Sequence, residues 1–367
     1  MLHQISCNLA DLADFFAKFC SAGGGALLFA SCRRELSFHS ARYTARMPAV
    51  TIIATVLNEI DDIPRLVPSL LAQIPSPAEV IIVDGGSSDG TWEWLCEAAR
   101  THPNLQPIRD ESCNLKRSVG PISRGRNVAI TAAASELIAC VDAGCTYPPD
   151  WMARITAPLA DGSAQYALGG SSLDPADPTV WDLASAPFFG VKLDPGEFSK
   201  SCTARSMAFT KDLWQRLGGF PETVFFGEDT LFDLNARRHT RPAFVDHAKA
   251  LYRPQYTLRS ACRQLAIYAI SDGILGVRRA RLTRNAARCG LEVLALLSLP
   301  WTVAALLVVL ALQGWFAYQP DWAILRRSGY RVILARYIFA FAVPWIVAIG
   351  HIRGMLTEYN PANRQNL

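Results

Sequence analysis

Three stretches of this chain read as strands that are apolar along nearly their whole length and then run into an acid. "AVTIIATV" (49–56) is followed by Leu57, Asn58 and Glu59; "EVIIVD" (79–84) ends on Asp84; "LIACVD" (137–142) ends on Asp142. β-Branched runs without polar alternation belong to strands covered on both faces, as in a parallel sheet. The intervening segments have helical character. Asp61 and Asp62 precede "IPRLVPSLLAQI", a helix start with early carboxylates and a proline in its first turn. "TWEWLCEAAR" follows the turn "DGGSSDG", and "GRNVAITAAAS" leads into the third strand. Such alternation predicts βαβ units and an α/β fold with a mainly parallel sheet. Ligands of these sheets bind outside the carboxyl ends of the strands, where Asp84 and Asp142 stand.

The last third of the chain has another character. Half of the 367 residues are hydrophobic, and "LEVLALLSLPWTVAALLVVLAL" (291–312) is long enough for a bilayer core, which takes about 20 residues. Glu292 and Pro300 interrupt it, and "YIFAFAVPWIVAIG" (337–350) is shorter and also broken by proline. Arg278, Arg279, Arg281, Arg284 and Arg288 precede the first run, while Arg326, Arg327 and Arg331 lie between the two. One full crossing cannot leave both basic flanks in the cytoplasm. A proline-bent re-entrant hairpin or interfacial helices would resolve the conflict; a buried helix of a soluble domain is the other reading.

At the opposite end, Asp11 and Asp14 stand where a secretory signal needs basic residues, and "MPAVTIIATVLNE" from Met47 reads like a beginning. The expected organisation is a weakly ordered extension over 1–46, an α/β domain over 47–280 and a membrane-associated helical region over 281–367. The net charge of +4 makes no case for nucleic-acid binding. Ten cysteines without a Cys-x-x-Cys pair speak against a zinc site or disulfide framework and for reduced thiols.

Four segments carry residues suited to chemistry. In "VDGGSSDGT" (83–91), Asp84 can accept a hydrogen bond from a nucleobase while the glycines let backbone approach a ligand; a plain turn with Asp89 as the next N-cap is the alternative. In "SRGRNVAI" (123–130), Arg126 opens a helix and can meet a nucleotide phosphate or base, or else pair with Asp110 or Glu111. Asp142, facing a nucleotide diphosphate, would need a divalent cation, Mg²⁺ or Mn²⁺, to offset repulsion. A second carboxylate is expected two positions on, yet residue 144 is Gly. In "FFGEDTLFDLNARRH" (225–239), Asp229 is a candidate base for an acceptor hydroxyl and Glu228 its orienting neighbour, unless both merely cap the helix.

The order and spacing of these blocks resemble the inverting family 2 glycosyltransferases of the GT-A fold, over roughly residues 48–275. The likeness rests on "TIIATVLNE", "EVIIVDGGSSDGTWEWL", "SRGRNVAI", "IACVDAGCTYPPDW", "ARSMAFTKDLWQRLGGFPE" and "FFGEDTLFDL". The resemblance implies a GT-A-type sheet flanked by helices, with a C-terminal hydrophobic helical segment at the membrane. It places Thr55, Leu57 and Glu59 around the nucleoside, Asp84 on the base and Arg126 near the nucleotide. Asp142 matches the Asp-x-Asp metal and diphosphate motif, and Asp229 the catalytic base.

Asp142-Ala143-Gly144 departs from that motif, which bears on metal dependence; His247 is a candidate compensating ligand. "RQLAIYAISDG" lacks the Gln-x-x-Arg-Trp of processive synthases, which favours single-sugar transfer. Arg205, in "TARSMAF", can meet the donor diphosphate or an acidic acceptor, or form a salt bridge to Glu222 or Glu228. Trp151 and Trp214 read as packing residues.

The implied activity is transfer from a nucleotide-sugar, UDP-linked or GDP-mannose, to a lipid or glycan acceptor at the membrane, with the catalytic domain in the cytoplasm. A non-catalytic nucleotide-sugar-binding homologue is the alternative. A dinucleotide-dependent oxidoreductase is disfavoured because no G-x-G-x-x-G follows the first strand.

Overall fold

β1 (Val50–Val56) and β2 (Glu79–Asp84) lie side by side in parallel, with Val56 level with Asp84. The computed structural model describes residues 48–114, 116–193, 203–298 and 329–357, together with 307 and 311. The expected extension over 1–46 and most of the first hydrophobic run therefore lie outside the described residues. Between β1 and β2, α1 (Ile63–Leu71) buries Ile63, Leu66, Val67 and Leu70, the i, i+3, i+4, i+7 stripe of an amphipathic helix. Each such side chain contributes about 1.5–3 kcal/mol on full burial.

α2 (Thr91–Thr101) returns the chain to β3 (Leu105–Arg109), and α3 (Pro121–Ala132) leads into β4 (Leu137–Cys140) on the other side of β1. The short β5 (Cys145–Thr146), α4 (Trp151–Ala160), β6 (Tyr166–Leu173) and α5 (Val180–Ser185) follow. β7 (Met207–Thr210), α6 (Lys211–Arg216), α7 (Glu228–His239) and β8 (Ala243–Tyr252) complete the α/β part. The eight strands form one sheet in the order β3-β2-β1-β4-β7-β6-β8-β5. From β3 to β4 it is parallel as expected, whereas β7 runs against both β4 and β6.

The unalternating apolar strands are explained by the cores on the two faces. Ile52 and Ala54 of β1 join α1 and α4 on one side, and Ile53 joins Ile81, Ile138 and Phe209 on the other. Trp151 packs in the first core and Trp214 against the second, as their sequence setting implied.

Three helices close the described chain: α8 (Leu258–Ile274), α9 (Arg279–Ser298) and α10 (Tyr330–Leu356). Here the second hydrophobic run differs from expectation, because α10 continues through Pro344 for 27 residues instead of breaking there. Among the described residues it is the one helix long and apolar enough to cross a membrane, and half of its apolar window is buried against the protein.

α8 and α10 approach at glycines. A Cβ on Gly273 would fall 2.1 Å from the His351 carbonyl oxygen, and one on Gly354 2.1 Å from that of Ile270. Neither backbone oxygen can retreat cheaply, so Gly354→Val is expected to lower stability by about 1–3 kcal/mol. A thermal midpoint unchanged from the parent would show that the two helices are free to separate.

Candidate active site

The carboxyl ends of β1 and β2 are tied together before either offers a group to a ligand. The Asn58 N–H donates to Ser87 Oγ at 2.8 Å, Ser88 N–H to Asn58 Oδ1 at 2.9 Å and Glu59 N–H to Thr91 Oγ1 at 2.9 Å. Asn58 takes a left-handed backbone, φ 56°, which its short amide side chain tolerates better than most. Asp89 is not itself the N-cap of α2, which is Gly90, but its Oδ1 accepts from the Thr91 N–H and its Oδ2 from that of Ile60.

Beside these ends opens a cleft of about 620 Å³, a size typical of small-molecule sites. Thr55 lines it from β1, Leu57 and Glu59 from just past its end, Arg126 from α3, Asp142 from beyond β4, Arg205 from before β7, and Glu228 and Asp229 from the start of α7. Asp84 differs from the others. Its neighbours Val83 and Gly85 line the cleft, but Asp84 is fully buried beneath them. Its Oδ1 accepts from the N–H groups of Gly86 (2.8 Å) and Ser87 (2.9 Å), while Oδ2 is enclosed without a protein partner.

The centre of the cleft is organised by Arg126, which is 4% exposed. Nη1 donates to Glu228 Oε1 and Nη2 to Asp142 Oδ1, both at 2.8 Å, and the guanidinium lies 5.4 Å from the centre of the Phe220 ring. The sequence alternatives for its partner, Asp110 and Glu111, are used elsewhere: Asp110 caps Ser112, and Glu111 pairs with Arg117. Burial works against the charge on Arg126, yet Asp142 and Glu228 outweigh it and hold the group more firmly protonated than usual. Burial also drives Glu228 up to about 7, with Arg126 opposing and Asp229 adding to the rise. Glu59 is likewise pushed up to about 7, by burial first and then by Asp62, Asp89 and Asp142.

α7 begins after Gly227, whose left-handed backbone (φ 81°) turns the chain so that Glu228 and Asp229 fall in the first helical turn. Asp229 is half-buried, and its Oδ1 accepts from the Thr230 N–H at 2.6 Å. The turn before it is fixed by Asn127. Its Oδ1 accepts from the Phe220 N–H and the Trp214 indole, and its Nδ2 donates to Phe220 O and Glu222.

Several cleft residues were not singled out from sequence. Arg278 and Arg281, read there as a basic membrane flank, instead share the buried Asp272 of α8 at 2.8 and 3.0 Å and line the cleft. Tyr268, Phe189 and Phe226 are further wall residues. An Asp-Gly-Ile stretch inside a helix gives no hint of such a partner.

Residues 51–218 match the sequence profile "Glycosyl transferase family 2". The family 2 match runs from β1 to just past α6, so it contains Glu59, Asp84, Arg126, Asp142 and Arg205 but stops short of Glu228 and Asp229. Glycosyltransferase AglE of Haloferax volcanii is 25% identical over 194 residues, covering 51% of this chain and 60% of that protein. An undecaprenyl-phosphate 4-deoxy-4-formamido-L-arabinose transferase of Pectobacterium carotovorum is 33% identical over 116 residues, covering 31% of this chain and 34% of that protein. The chain thus matches less than two thirds of the length of these curated relatives. Among solved structures, the mannosyltransferase PcManGT from Pyrobaculum calidifontis, in complex with GDP-Man and Mn²⁺, superposes with a TM-score of 0.52. It is 20% identical, and 86% of this chain and 89% of that one are covered, a likeness of fold. The fold is of the GT-A type: a mixed sheet flanked by helices, followed by a C-terminal apolar helix.

The residues around Asp142 set limits on how a divalent cation can be held. Among the described residues no three His, Cys, Asp or Glu side chains form a metal cluster. His247 is not brought to Asp142. It is exposed on β8, in the irregular stretch between the pairs Leu168–Phe244 and Gly170–Lys249, and does not line the cleft. Gly144 has φ 70°, and a Cβ there would lie 3.8 Å from Asp62 Oδ2, so an acid at this position would be strained and would face another acid. Asp142, with a side chain 34% exposed and only Oδ1 engaged by Arg126, suits an ion held by one carboxylate together with substrate phosphates and water, the usual habit of Mg²⁺.

Proposed function

We infer that this chain is an inverting glycosyltransferase that moves a single sugar from a nucleotide-sugar donor to a hydroxyl of a lipid-linked or membrane-proximal acceptor. One observation carries the reading: Arg126 joins Asp142, beyond the carboxyl end of β4, to Glu228, the neighbour of Asp229 at the start of α7, inside one cleft. The donor side and the acceptor side of a displacement reaction thereby share a single cation.

The roles follow from position. Thr55, Leu57 and Glu59 surround the nucleoside at the end of β1. Asp84, fully enclosed, supports the base site from beneath by fixing the turn after β2 through the Gly86 and Ser87 amides. Asp142 faces the diphosphate, and a bound Mg²⁺ or Mn²⁺ would supply positive charge against that leaving group. Asp229 takes the proton of the acceptor hydroxyl as its oxygen bonds to the anomeric carbon and the bond from that carbon to the diphosphate breaks, giving inversion. Glu228, anchored by Arg126, holds the start of α7 so that Asp229 keeps its place.

The relatives named above support sugar transfer, one of them to undecaprenyl phosphate, and the solved neighbour binds GDP-Man with Mn²⁺. α10 supports attachment to a membrane; the cleft is proposed to face the cytoplasm because nucleotide sugars are made there. A UDP-sugar is the first donor to test and GDP-mannose its competitor. The direct experiment is a calorimetric screen of the full-length protein against UDP-, GDP- and dTDP-sugars, with and without Mn²⁺. Binding of one class, strengthened by the cation, is the expected outcome; indifference to all three would sink the reading.

A further inference from the structure

Arg205 sits in a three-residue turn, Ala204–Ser206, immediately before β7, and it is 7% exposed. The Tyr147 hydroxyl donates to its carbonyl at 2.8 Å and accepts from the Asp142 N–H at 3.2 Å, so one tyrosine links the Arg205 backbone to that of Asp142. The guanidinium carbon lies 4.2 Å from the centre of the Tyr252 ring. Its one side-chain hydrogen bond, from Nη2 to the Tyr268 hydroxyl, is 3.5 Å long, at the limit of such contacts, and Nη1 is enclosed with no partner.

Among the described residues, what sets Arg205 apart is that no carboxylate touches it; against burial, its charge is favoured by Tyr252 and Tyr268 and, less strongly, by Asp142. Arg126 is shared by Asp142 and Glu228, and Arg278 and Arg281 share Asp272. The two carboxylates that the sequence offered to Arg205 are taken: Glu222 by Arg124 and Asn127, Glu228 by Arg126. Among the described residues, Arg205 is the cleft-lining arginine without a carboxylate partner. A buried guanidinium with an unpartnered Nη1 has a donor left to offer, and phosphate is a group that arginine matches well.

We propose that Arg205 is the binding residue for the terminal phosphate of the nucleoside diphosphate, a buried cation with an unpartnered Nη1 and no carboxylate in contact among the described residues. The assignment rests on the glycosyltransferase reading above and adds a fixed protein charge to the leaving-group site. That charge stands beside the lone Asp142, where Gly144 leaves the second acid missing. The aromatic walls, Tyr252 and Tyr268, lower the local polarity, so an ion pair formed there is screened less than one on the surface.

The test compares wild type, Arg205→Met and Arg205→Lys as full-length protein at fixed Mg²⁺, titrated with UDP, GDP, UMP and GMP, and melted without ligand. Arg205→Met is expected to weaken diphosphate binding by about tenfold or more, the worth of a charge-assisted hydrogen bond, while monophosphate affinity stays within about twofold. Its ligand-free melting midpoint should change little, because no ion pair with a described carboxylate is lost; Arg205→Lys should bind the diphosphate with intermediate strength. Equal losses for mono- and diphosphates would overturn the assignment. So would unchanged diphosphate affinity, which would turn Arg205 toward an acidic acceptor, or a fallen ligand-free midpoint without selective loss, the mark of a structural role. Wild type that binds neither diphosphate would overturn the nucleotide-sugar reading as well, which separates the two failures.

Discussion

Replacing Asp229 by Asn is expected to cut transfer by about 10²–10⁴-fold, the range spanned by general-base catalysis, while donor affinity changes little. The substitution preserves size and an oxygen for the Thr230 N–H that Asp229 Oδ1 now accepts at 2.6 Å, so the first turn of α7 keeps its geometry. What it removes is the proton acceptor. It also removes one of the charges that raise Glu228, so that acid should titrate lower in the variant than in the parent. The measurement is single-turnover transfer at saturating donor, set beside a donor dissociation constant. Normal turnover would pass the role of base to another group and dismantle the proposed mechanism.

The second large effect is expected at Arg126→Met. Two carboxylates would lose their shared cation at once, and Glu228 would be left buried with only acids nearby. Breaking a buried pair in this way costs about 3–5 kcal/mol, a large share of the stability of an ordinary domain.

The loss should depend on pH in a definite direction. Glu228 lies at about 7 when folded, against an ordinary 4.5, so between those values the folded chain binds the proton more tightly. This group therefore contributes stability that is fully present below pH 4.5 and lost as pH rises through 7. Without Arg126, whose charge pulls Glu228 down, the folded value climbs further. The gap in melting midpoint between parent and variant should consequently be widest near pH 8 and narrow as the pH falls toward 5. A gap independent of pH would mean that the Arg126–Glu228 contact is not the source of the loss.

The α/β half of the fold was legible because β1, β2 and β4 are covered on both faces and show it as unbroken apolar runs. β6 carries "GGSS" and β8 is largely exposed along its first half, so neither has such a signal, and the antiparallel β7 is only four residues long. Proline proved a poor guide to the last helix: packing of Phe339, Val343 and Val347 against α8 carries α10 through Pro344.

In the site, Glu59, Asp142 and Asp229 could be picked out as acids at the ends of strands or the start of a helix. The partnership of Arg126 with Glu228 could not, because 102 residues separate them and only the tertiary fold brings them together. The place of Arg278 and Arg281 in the cleft was hidden for a related reason. Near a hydrophobic run, positive charge reads as a topological marker, and nothing local reveals that both meet Asp272 in the wall of a cleft.

The glycine contacts between α8 and α10 have a mechanical consequence. Tyr268, Ser271 and Asp272 of α8 face the cleft, while Gly273 and the backbone of Ile270 abut the backbone of α10 around His351 and Gly354. At these glycines no side chain separates the two backbones, so at this end of the interface there is no compliant layer to absorb a tilt. On the proposed membrane attachment, a bilayer that gripped α10 would grip the wall of the cleft too and would set the height of its mouth above the lipid. In the proposed transfer reaction the acceptor would then be the partner that moves, so acceptors on short and long lipid head groups should be reached differently.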